Sequence, residues 1–191
     1  MRSSRLRAAL STLTVLLVLA LAASTTAGPA QAAGRLPSKK VWLHDVAVAM
    51  KPAIPYLNDR VDQGGSNLAI VLDIDNTSIA THYAWPRPVK ATLAFAQRAH
   101  RLGVKTFFVT GRMDANAKAQ RPVLRKAGYS ISGICGRRSG ESLVKSKTRC
   151  RKALVKRGYT IIASVGNLPS DFKGGYYERK FDLPDYDHAL S

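Results

Sequence analysis

Two carboxylates, Asp73 and Asp75, stand one residue apart directly after the apolar run Leu68–Leu72. Two like charges so close at the end of a buried segment repel each other, and a cation, a proton or hydrogen-bond donors must relieve that repulsion. A bound metal is the simplest relief, because carboxylate oxygens are ligands that hard divalent cations prefer. The pair therefore predicts a site for metal-assisted chemistry.

The apolar run before the two acids has the composition of a buried strand. Its five residues are aliphatic, and it follows the turn-forming Gly64-Gly65-Ser66, as expected for a parallel strand buried on both faces. A second apolar run, residues 104–109, ends in Thr110-Gly111-Arg112 and is followed by a predicted helix over residues 114–127. Strand, turn and helix in that order predict βα units and a parallel sheet. Ligands in such sheets lie beyond the carboxyl ends of the strands, where Asp73 and Thr110 are placed.

The remaining pattern alternates between helices and strands. Apolar spacing predicts one or two helices over residues 41–61, where Pro52 and Pro55 interrupt the repeat. The other predicted elements are helices at 89–102 and 143–157 and strands at 129–135 and 160–165.

The first part of the chain has the composition of an export signal. Arg2, Arg5 and Arg7 precede the apolar residues 8–23, and Ala30-Gln31-Ala32 is a small-x-small cleavage site. The apolar run is shorter than the ~20 residues that span a bilayer. We therefore predict a signal peptide over residues 1–32, a secreted protein without a membrane span after its removal, and one domain over residues 33–191.

The chain is strongly basic and contains two cysteines. The formal charge is +18, and three positive charges leave with the predicted signal, so the domain carries about +15. Such a field attracts phosphates, nucleic acid or anionic surfaces, or it keeps a secreted protein soluble; both interpretations stay open. No dedicated nucleic-acid module is recognisable. Cys135 and Cys150 form an even pair in an exported chain, which predicts a structural disulfide.

The segment Asp73-Ile74-Asp75-Asn76-Thr77 resembles the Asp-x-Asp-x-Thr signature of the haloacid dehalogenase-like (HAD) phosphatases. The resemblance implies an α/β fold: a three-layer, Rossmann-like arrangement with a central, mostly parallel sheet. The short segment between Thr77 and Thr110 implies a minimal cap and an open site. Two aromatic residues in that segment have alternative roles: Tyr83 or Trp85 stacks on an aromatic leaving group, or both plug the sheet edge.

The resemblance also assigns later residues to the site. Thr110 is similar to the second HAD motif, whose hydroxyl binds a phosphoryl oxygen, with Gly111 allowing close approach; the alternative is that Thr110 only caps a helix. The segment Lys147-Thr148-Arg149-Cys150-Arg151 resembles the Lys-Ser-x-x-Arg segment of secreted HAD acid phosphatases. It implies that Lys147 is the site lysine, with Lys145 as the alternative if the register slips by two.

The fourth motif departs from the HAD pattern. Where the superfamily has Gly-Asp-x-x-x-Asp, this chain has Gly166-Asn167 and, four residues after Asn167, Asp171. An asparagine still offers a carbonyl oxygen to a hard cation, but the site loses one negative charge. The resemblance therefore implies a metal site formed by Asp73, Asp75, Asn167 and Asp171, with weakened affinity.

The function implied by the resemblance is that of a secreted, Mg²⁺-dependent acid phosphatase related to class B and C bacterial enzymes and plant vegetative storage proteins. Asp73 is the expected nucleophile, forming an aspartyl-phosphate, and Asp75 is the expected proton donor and acceptor. Lys147 offsets the crowded negative charge, and the substrate is a small phosphomonoester. The alternative is a catalytically weak, storage-like or polyanion-binding secreted protein on the same scaffold.

Overall fold

The computed structural model describes residues 36–190. The predicted signal peptide over residues 1–32 lies outside the described residues. Across residues 36–190 we find no helix with both the length and the hydropathy needed to cross a bilayer.

Five parallel strands form one sheet in the order β3-β2-β1-β4-β5, so β1 lies at its centre. This arrangement confirms the predicted parallel sheet, which the sequence pattern described as mostly parallel. The strands are β1 Leu68–Leu72, β2 Lys105–Met113, β3 Gly133–Arg137, β4 Thr160–Gly166 and β5 Arg179–Asp182. The helices are α1 Lys39–Met50, α2 Ala53–Asp62, α3 Thr81–Ala84, α4 Lys90–Arg101, α5 Asp114–Lys118, α6 Arg121–Lys126 and α7 Leu143–Lys156, with a single 3₁₀ turn at Pro169–Asp171.

Alternate residues of β1 enter two separate hydrophobic clusters, because successive side chains of a strand point to opposite faces of the sheet. Ile70 and Leu72 pack in the cluster that contains residues of α1, α2 and α4. Val71 packs on the other face with Leu154 of α7. All five residues of β1 are buried. These two apolar faces confirm the predicted three-layer α/β architecture.

The predicted break in the N-terminal helical region is confirmed at Pro52. α1 ends at Met50 and α2 begins at Ala53. Proline has no N–H to donate to the preceding turn, so α1 does not continue through Pro52. Pro55, which was also expected to interrupt the repeat, instead lies in the first turn of α2, where the backbone N–H groups have no intrahelical acceptor.

The region after the second strand differs from its prediction. Thr110-Gly111-Arg112, expected as a turn, lies within β2, and the register against β3 is irregular between Val109 and Met113. The predicted helix over residues 114–127 is divided into α5 and α6. Pro122 explains the division, because it lacks the N–H that an unbroken helix would donate to the carbonyl of Lys118.

The third strand begins at Gly133 rather than at the predicted residue 129. Tyr129 instead ends the α6 region: its backbone N–H donates to the Leu124 carbonyl, and its buried hydroxyl donates to the Ser78 carbonyl at 2.9 Å. The propensity of tyrosine for strands is thus overridden by a tertiary hydrogen bond.

A disulfide joins Cys135 of β3 to Cys150 of α7, with Cα atoms 6.0 Å apart. This confirms the predicted pairing, and closing a loop of this length contributes on the order of 3 kcal/mol in the chain-entropy model. The segment between β1 and α4 contains only the four-residue α3 and two isolated bridges, Asp75 with Ile79 and Ile79 with Pro88. The cap is therefore as small as predicted.

Candidate active site

A pocket of about 300 Å³ lies at the carboxyl ends of β1 and β4, the position predicted for the site. It brings together residues from separate parts of the chain. Its lining consists of Asp73, Asp75, Thr110, Gly111, Arg112, Leu143, Lys147, Asn167, Leu168 and Leu190.

Asp73 is fixed at the base of this pocket by its own backbone. Its N–H donates to the Val165 carbonyl at 2.9 Å, which links it to β4, and its carbonyl accepts from the Ser78 hydroxyl at 2.6 Å. Only 4% of the residue is exposed. The backbone position of Asp73 is therefore fixed, and its carboxylate is shielded from solvent.

The side chain of Lys147 lies between two buried carboxylates. Its Nζ is 3.0 Å from Asp73 Oδ1 and 2.5 Å from Asp171 Oδ1, and the lysine is 2% exposed. Burial lowers the pKa of Lys147, but the charges of Asp73 and Asp171 outweigh burial, and the net shift is upward. Lys147 is thus a permanent cation in the site. Lys145, the alternative, is exposed on another side of the same helix.

Burial raises the pKa of Asp73 to about 7, even though the charge of Lys147 opposes the shift. The nearby carboxylates of Asp171 and Asp75 raise it further. Burial thus favours the neutral form of the Asp73 carboxyl. An added cation beside this carboxylate would favour the ionised form, which is the nucleophilic one.

Asp75 forms a two-point ion pair with Arg112. The Nε and Nη2 atoms of Arg112 lie 2.8 and 2.6 Å from the two carboxylate oxygens, and the Thr81 hydroxyl donates to Asp75 at 2.8 Å. Burial raises the pKa of Asp75, but the hydrogen bonds from Arg112 and Thr81 outweigh it, so the net pKa is lowered. The repulsion that led us to expect a metal is thus relieved here by donors and cations of the chain itself.

Arg112 was not among the predicted site residues. The signal available was its place directly after Thr110-Gly111, at the carboxyl end of a strand beside the acidic pair. Its guanidinium also lies 5.7 Å from the ring centroid of Trp85, which is 48% exposed. Arg112 therefore contacts both Asp75 inside the pocket and Trp85 at its rim.

Thr110 and Gly111 form part of the pocket wall. Thr110 is 1% exposed, and its hydroxyl accepts from the Arg112 N–H at 3.3 Å. The residue at the N-cap of α5 is Met113, so Thr110 does not cap that helix. A Cβ on Gly111 would lie 2.7 Å from Leu143 Cδ2, so a side chain there would push into the pocket wall.

Asn167 lines the pocket, whereas Asp171 lies behind it. The Asn167 side-chain oxygen accepts from the Thr77 hydroxyl at 3.2 Å. Both carboxylate oxygens of Asp171 accept hydrogen bonds, one from Lys147 and the other from the Leu168 N–H at 3.0 Å. Asp171 is thus used in this structure to orient Lys147.

Arg151 holds the loop that carries Asp171. Its guanidinium, on the buried face of α7, donates to the carbonyls of Asp171 at 2.8 Å, Lys173 at 2.5 Å and Gly175 at 2.7 Å. The residue is 1% exposed. One helix therefore carries both the site lysine and the arginine that fixes the opposing loop.

The two aromatic residues near the site differ in their surroundings. Tyr83 stacks on Trp42, and its hydroxyl donates to the Pro37 carbonyl at 2.8 Å, so it packs onto the core. Trp85 is exposed beside Arg112 at the pocket rim. Tyr83 thus packs on Trp42, whereas Trp85 is 48% exposed.

Oxygen ligands in the pocket suit a magnesium ion. Within residues 36–190 no group of three or more His, Cys, Asp or Glu side chains is arranged to hold a metal. Mg²⁺ needs fewer, because it retains several waters and takes one or two carboxylates together with substrate phosphate. Asp73 supplies a carboxylate and Asn167 an amide oxygen on the pocket wall, so the residues present fit the ion.

A model of HAD superfamily, subfamily IIIB (acid phosphatase), matches residues 80–189. Acid phosphatase 1 of Solanum lycopersicum is 26% identical over 152 residues, covering 77% of this chain and 58% of that protein. The stem 28 kDa glycoprotein of Glycine max is 33% identical over 91 residues, covering 44% of this chain and 36% of the glycoprotein. The chain thus spans less than two thirds of these plant relatives.

The fold is similar to that of the class C acid phosphatase from Bacillus anthracis. The TM-score is 0.62 at 16% sequence identity, with 80% of this chain and 83% of that chain covered. A tungstate-bound structure of that protein matches equally well. At this identity the likeness shows a shared fold.

Proposed function

The chain belongs to subfamily IIIB of the HAD superfamily, the acid phosphatases, and from this premise we propose that it hydrolyses phosphomonoesters through a covalent intermediate on Asp73. The observation that carries the proposal is the contact of Lys147 Nζ with both Asp73 and Asp171 at the base of the pocket. A lysine buried between two carboxylates keeps positive charge where a phosphoryl group would arrive.

Asp73 attacks phosphorus in the first step. A bond forms between an Asp73 carboxylate oxygen and phosphorus while the bond to the leaving alcohol breaks, giving an aspartyl-phosphate. Water then attacks phosphorus, releasing orthophosphate and restoring the carboxylate. Two unit charges 4 Å apart repel by about 4 kcal/mol at an effective dielectric near 20, so the approach of a phosphate to Asp73 needs nearby cations. Lys147 and Arg112 supply them.

Asp75 transfers the protons, and Arg112 controls when it does so. In the structure Arg112 holds the pKa of Asp75 low, which favours the ionised form that cannot protonate a leaving group. A phosphate entering the pocket offers the guanidinium an alternative two-point partner. Once Arg112 turns to the phosphate, Asp75 loses its strongest stabilising contact and its pKa rises. Substrate binding thereby prepares the proton donor.

Thr110 and Gly111 complete the phosphate site. The Thr110 hydroxyl lies on the pocket wall and donates to a phosphoryl oxygen, while Gly111 leaves room for the substrate beside Leu143. These contacts orient the phosphorus toward Asp73 and so convert the attack into an intramolecular event.

We further propose Mg²⁺ as the cofactor, held by Asp73, the backbone carbonyl of Asp75 and Asn167. When bound, the ion supplies positive charge that offsets the negative charge of the phosphoryl oxygens. Asp171, with both oxygens occupied, contributes by orienting Lys147. Because Asn167 is neutral, we expect the ion to be held more weakly than by a carboxylate at that position.

Secretion is the proposed localisation. The charged and apolar pattern of residues 1–32 is that of a signal peptide, and the disulfide between Cys135 and Cys150 is of the kind that persists in oxidising compartments.

The proposal is tested with a purified protein that begins at Ala33. We expect it to release phosphate from an aryl phosphate in the presence of Mg²⁺, and Asp73→Asn to abolish release and the acid-stable trapping of labelled phosphate. Thr92→Ser, a small buried change away from the pocket, serves as the control. Unchanged turnover in Asp73→Asn would rule out the covalent route.

A second candidate is a storage-like or polyanion-binding protein with little catalysis. It is supported by Asn167, by the basic charge of the domain and by a relative named as a stem glycoprotein. Salt-sensitive binding of polyanions without phosphate release would favour it.

A further inference from the structure

Helix α7 presents two different sets of basic side chains. Lys147 and Arg151 are buried and serve the site described above. On the opposite side, exposed residues together with the half-buried Thr148 and Arg149 line a groove of about 760 Å³. The groove residues are Arg138, Ser142, Val144, Lys145, Thr148, Arg149, Lys152, Ala153, Lys156 and Gly174.

Most of the positive charge in this groove is uncompensated. Arg149 pairs with Glu141, with Nε 2.7 Å from Oε1. In the part of the chain from residue 36 to residue 190, no carboxylate forms an ion pair with Lys145, Lys152 or Lys156. These lysines recur at positions i, i+7 and i+11 of one helix, so they form a stripe along one face. At about 1.5 Å per residue the stripe is roughly 16 Å long.

The first turn of α7 borders both the groove and the catalytic pocket. Ser142 and Val144 line the groove, whereas Leu143 between them lines the pocket. The first turn of α7 therefore separates the two spaces. A chain-like ligand whose end lies against Asp73 would have to pass the first turn of α7 at Leu143 to reach the lysine stripe.

We propose that this groove binds the phosphodiester chain of a polyanion whose terminal phosphomonoester enters the catalytic pocket. The inference rests on the proposed function, and it names a substrate class for the same site. Asp73 displaces the terminal alcohol of the chain from phosphorus, and water then releases orthophosphate from Asp73, which leaves a chain ending in an alcohol. The lysine stripe contributes affinity for the chain and takes no part in bond cleavage.

The lining of the groove favours a phosphate polymer without bases. Proteins that bind single-stranded nucleic acid place aromatic side chains under the bases, which contributes about 1–3 kcal/mol per base. The residues that line this groove include no aromatic side chain. Recognition here depends on phosphate spacing and charge, as expected for a linear polymer of small alcohols joined by phosphodiesters.

Binding is tested with a fluorescent oligomer of abasic sugar phosphodiesters that lacks the terminal phosphate, measured by fluorescence anisotropy at several salt concentrations. For Lys152→Gln combined with Lys156→Gln we expect affinity to fall on the order of five- to tenfold. The slope of log affinity against log salt should fall by about 1.4, because two phosphate contacts are lost. The matched control, Lys39→Gln with Lys40→Gln, removes the same charge from α1. Equal weakening in both variants, or in neither, overturns the groove as the binding surface.

An oligonucleotide of the same length tests the class of polymer. We expect it to bind no more tightly than the abasic oligomer. Much tighter binding of the base-containing chain would show that bases are read and would overturn the assignment to a phosphate polymer.

Turnover is tested with the abasic oligomer that carries a terminal phosphate, beside an aryl phosphate. The variant at Lys152 and Lys156 should raise KM five- to tenfold for the oligomer and leave KM and kcat for the aryl phosphate unchanged. An equal rise in KM for both substrates overturns the inference. Absence of phosphate release from both substrates, with salt-dependent binding retained, would contradict the proposed function and, with it, the substrate role of the groove.

Discussion

The guanidinium of Arg112 contacts both carboxylate oxygens of Asp75, at 2.8 Å from Nε and 2.6 Å from Nη2. This ion pair bears on how the repulsion between Asp73 and Asp75 is relieved. The sequence pattern favoured a metal as the source of relief from their repulsion, whereas each acid has a cation of the chain as its partner: Arg112 for Asp75 and Lys147 for Asp73. The proposed magnesium ion would therefore enter a site in which each of the two acids already has a cation of the chain as its partner.

Arg112→Leu should shift the pH dependence of kcat/KM. Arg112 and Thr81 hold the pKa of Asp75 below its usual range in the free protein, so removing Arg112 raises that pKa. Activity that needs protonated Asp75 would then persist to higher pH, and the falling limb of the profile would move upward. KM should also rise, because the variant lacks a side chain that binds the substrate phosphate.

The control for this prediction is Arg112→Lys, which keeps the charge and loses the two-point geometry. Arg112→Lys should shift the falling limb of the pH profile less than Arg112→Leu does. A limb that stays in place in both variants would show that Asp75 is not the group that titrates.

Lys147→Met should reduce both activity and stability. We expect kcat to fall roughly 10²–10³-fold, as for loss of a donor at a developing charge. Breaking a buried ion pair from one side also costs about 3–5 kcal/mol in the free energy of unfolding. Steady-state kinetics and urea unfolding measure the two effects.

Lys145→Met is the matched control for Lys147→Met. Lys145 is exposed on the same helix, so its change in unfolding free energy should stay within about 0.5 kcal/mol and its kcat should be unaffected. A larger kcat loss at position 145 than at position 147 would overturn the assignment of the site lysine.

Much of this architecture could be predicted because its signals are local. The aliphatic run Leu68–Leu72, the glycine and proline stops and the spacing of Cys135 and Cys150 each depend on nearby residues. The Arg112–Asp75 pair could not be predicted in the same way, because it joins side chains 37 positions apart across two strands. Tyr129 was wrongly placed in a strand for a similar reason, since its hydroxyl reaches Ser78, 51 positions away.

The choice between Lys145 and Lys147 depends on local sequence and also on long-range packing. The resemblance assigned Lys147 to the site, with Lys145 as the alternative if the register slipped by two. The packing of Cys150 and Leu154 against the sheet decides which face is buried. That choice places Lys147 inside and leaves Lys145 exposed.

Asn167→Asp should lower the magnesium concentration needed for half-maximal activity. The substitution adds a negative charge on the pocket wall, where the wild-type amide offers only a neutral oxygen. The measurement is activity against Mg²⁺ concentration at fixed substrate, with isothermal titration of Mg²⁺ as a readout that does not depend on turnover. Asn116→Asp, an exposed change in α5, is the control for added charge. Identical magnesium requirements in Asn167→Asp and wild type would argue against Asn167 as a ligand.

Glu141→Gln should destabilise the protein at neutral pH and not at strongly acid pH. Hydrogen bonds from Arg149, and then from the Arg138 N–H, lower the pKa of Glu141 from 4.5 to about 2. A depressed carboxyl pKa contributes stability that is fully present above 4.5 and is lost as pH falls toward 2. The difference in Tm between wild type and variant should therefore shrink across that range. Asp62→Asn, an exposed site at the end of α2, is the comparison, and a difference in Tm that is constant with pH would contradict the linkage.

Arg151→Met should show whether Arg151 affects the reaction by holding the loop of residues 171–175 in place. The arginine donates to the carbonyls of Asp171, Lys173 and Gly175, so its removal leaves three backbone acceptors without this donor. Unsatisfied buried groups cost about 1–3 kcal/mol each where water cannot replace the partner. We expect faster hydrogen exchange in residues 171–175 and a lower kcat, because Asp171 then holds Lys147 less firmly. Lys152→Met, one position along α7 and exposed, should leave both unchanged. If kcat fell in Arg151→Met while exchange in the loop stayed as slow as in wild type, Arg151 would have to act on the reaction by another route.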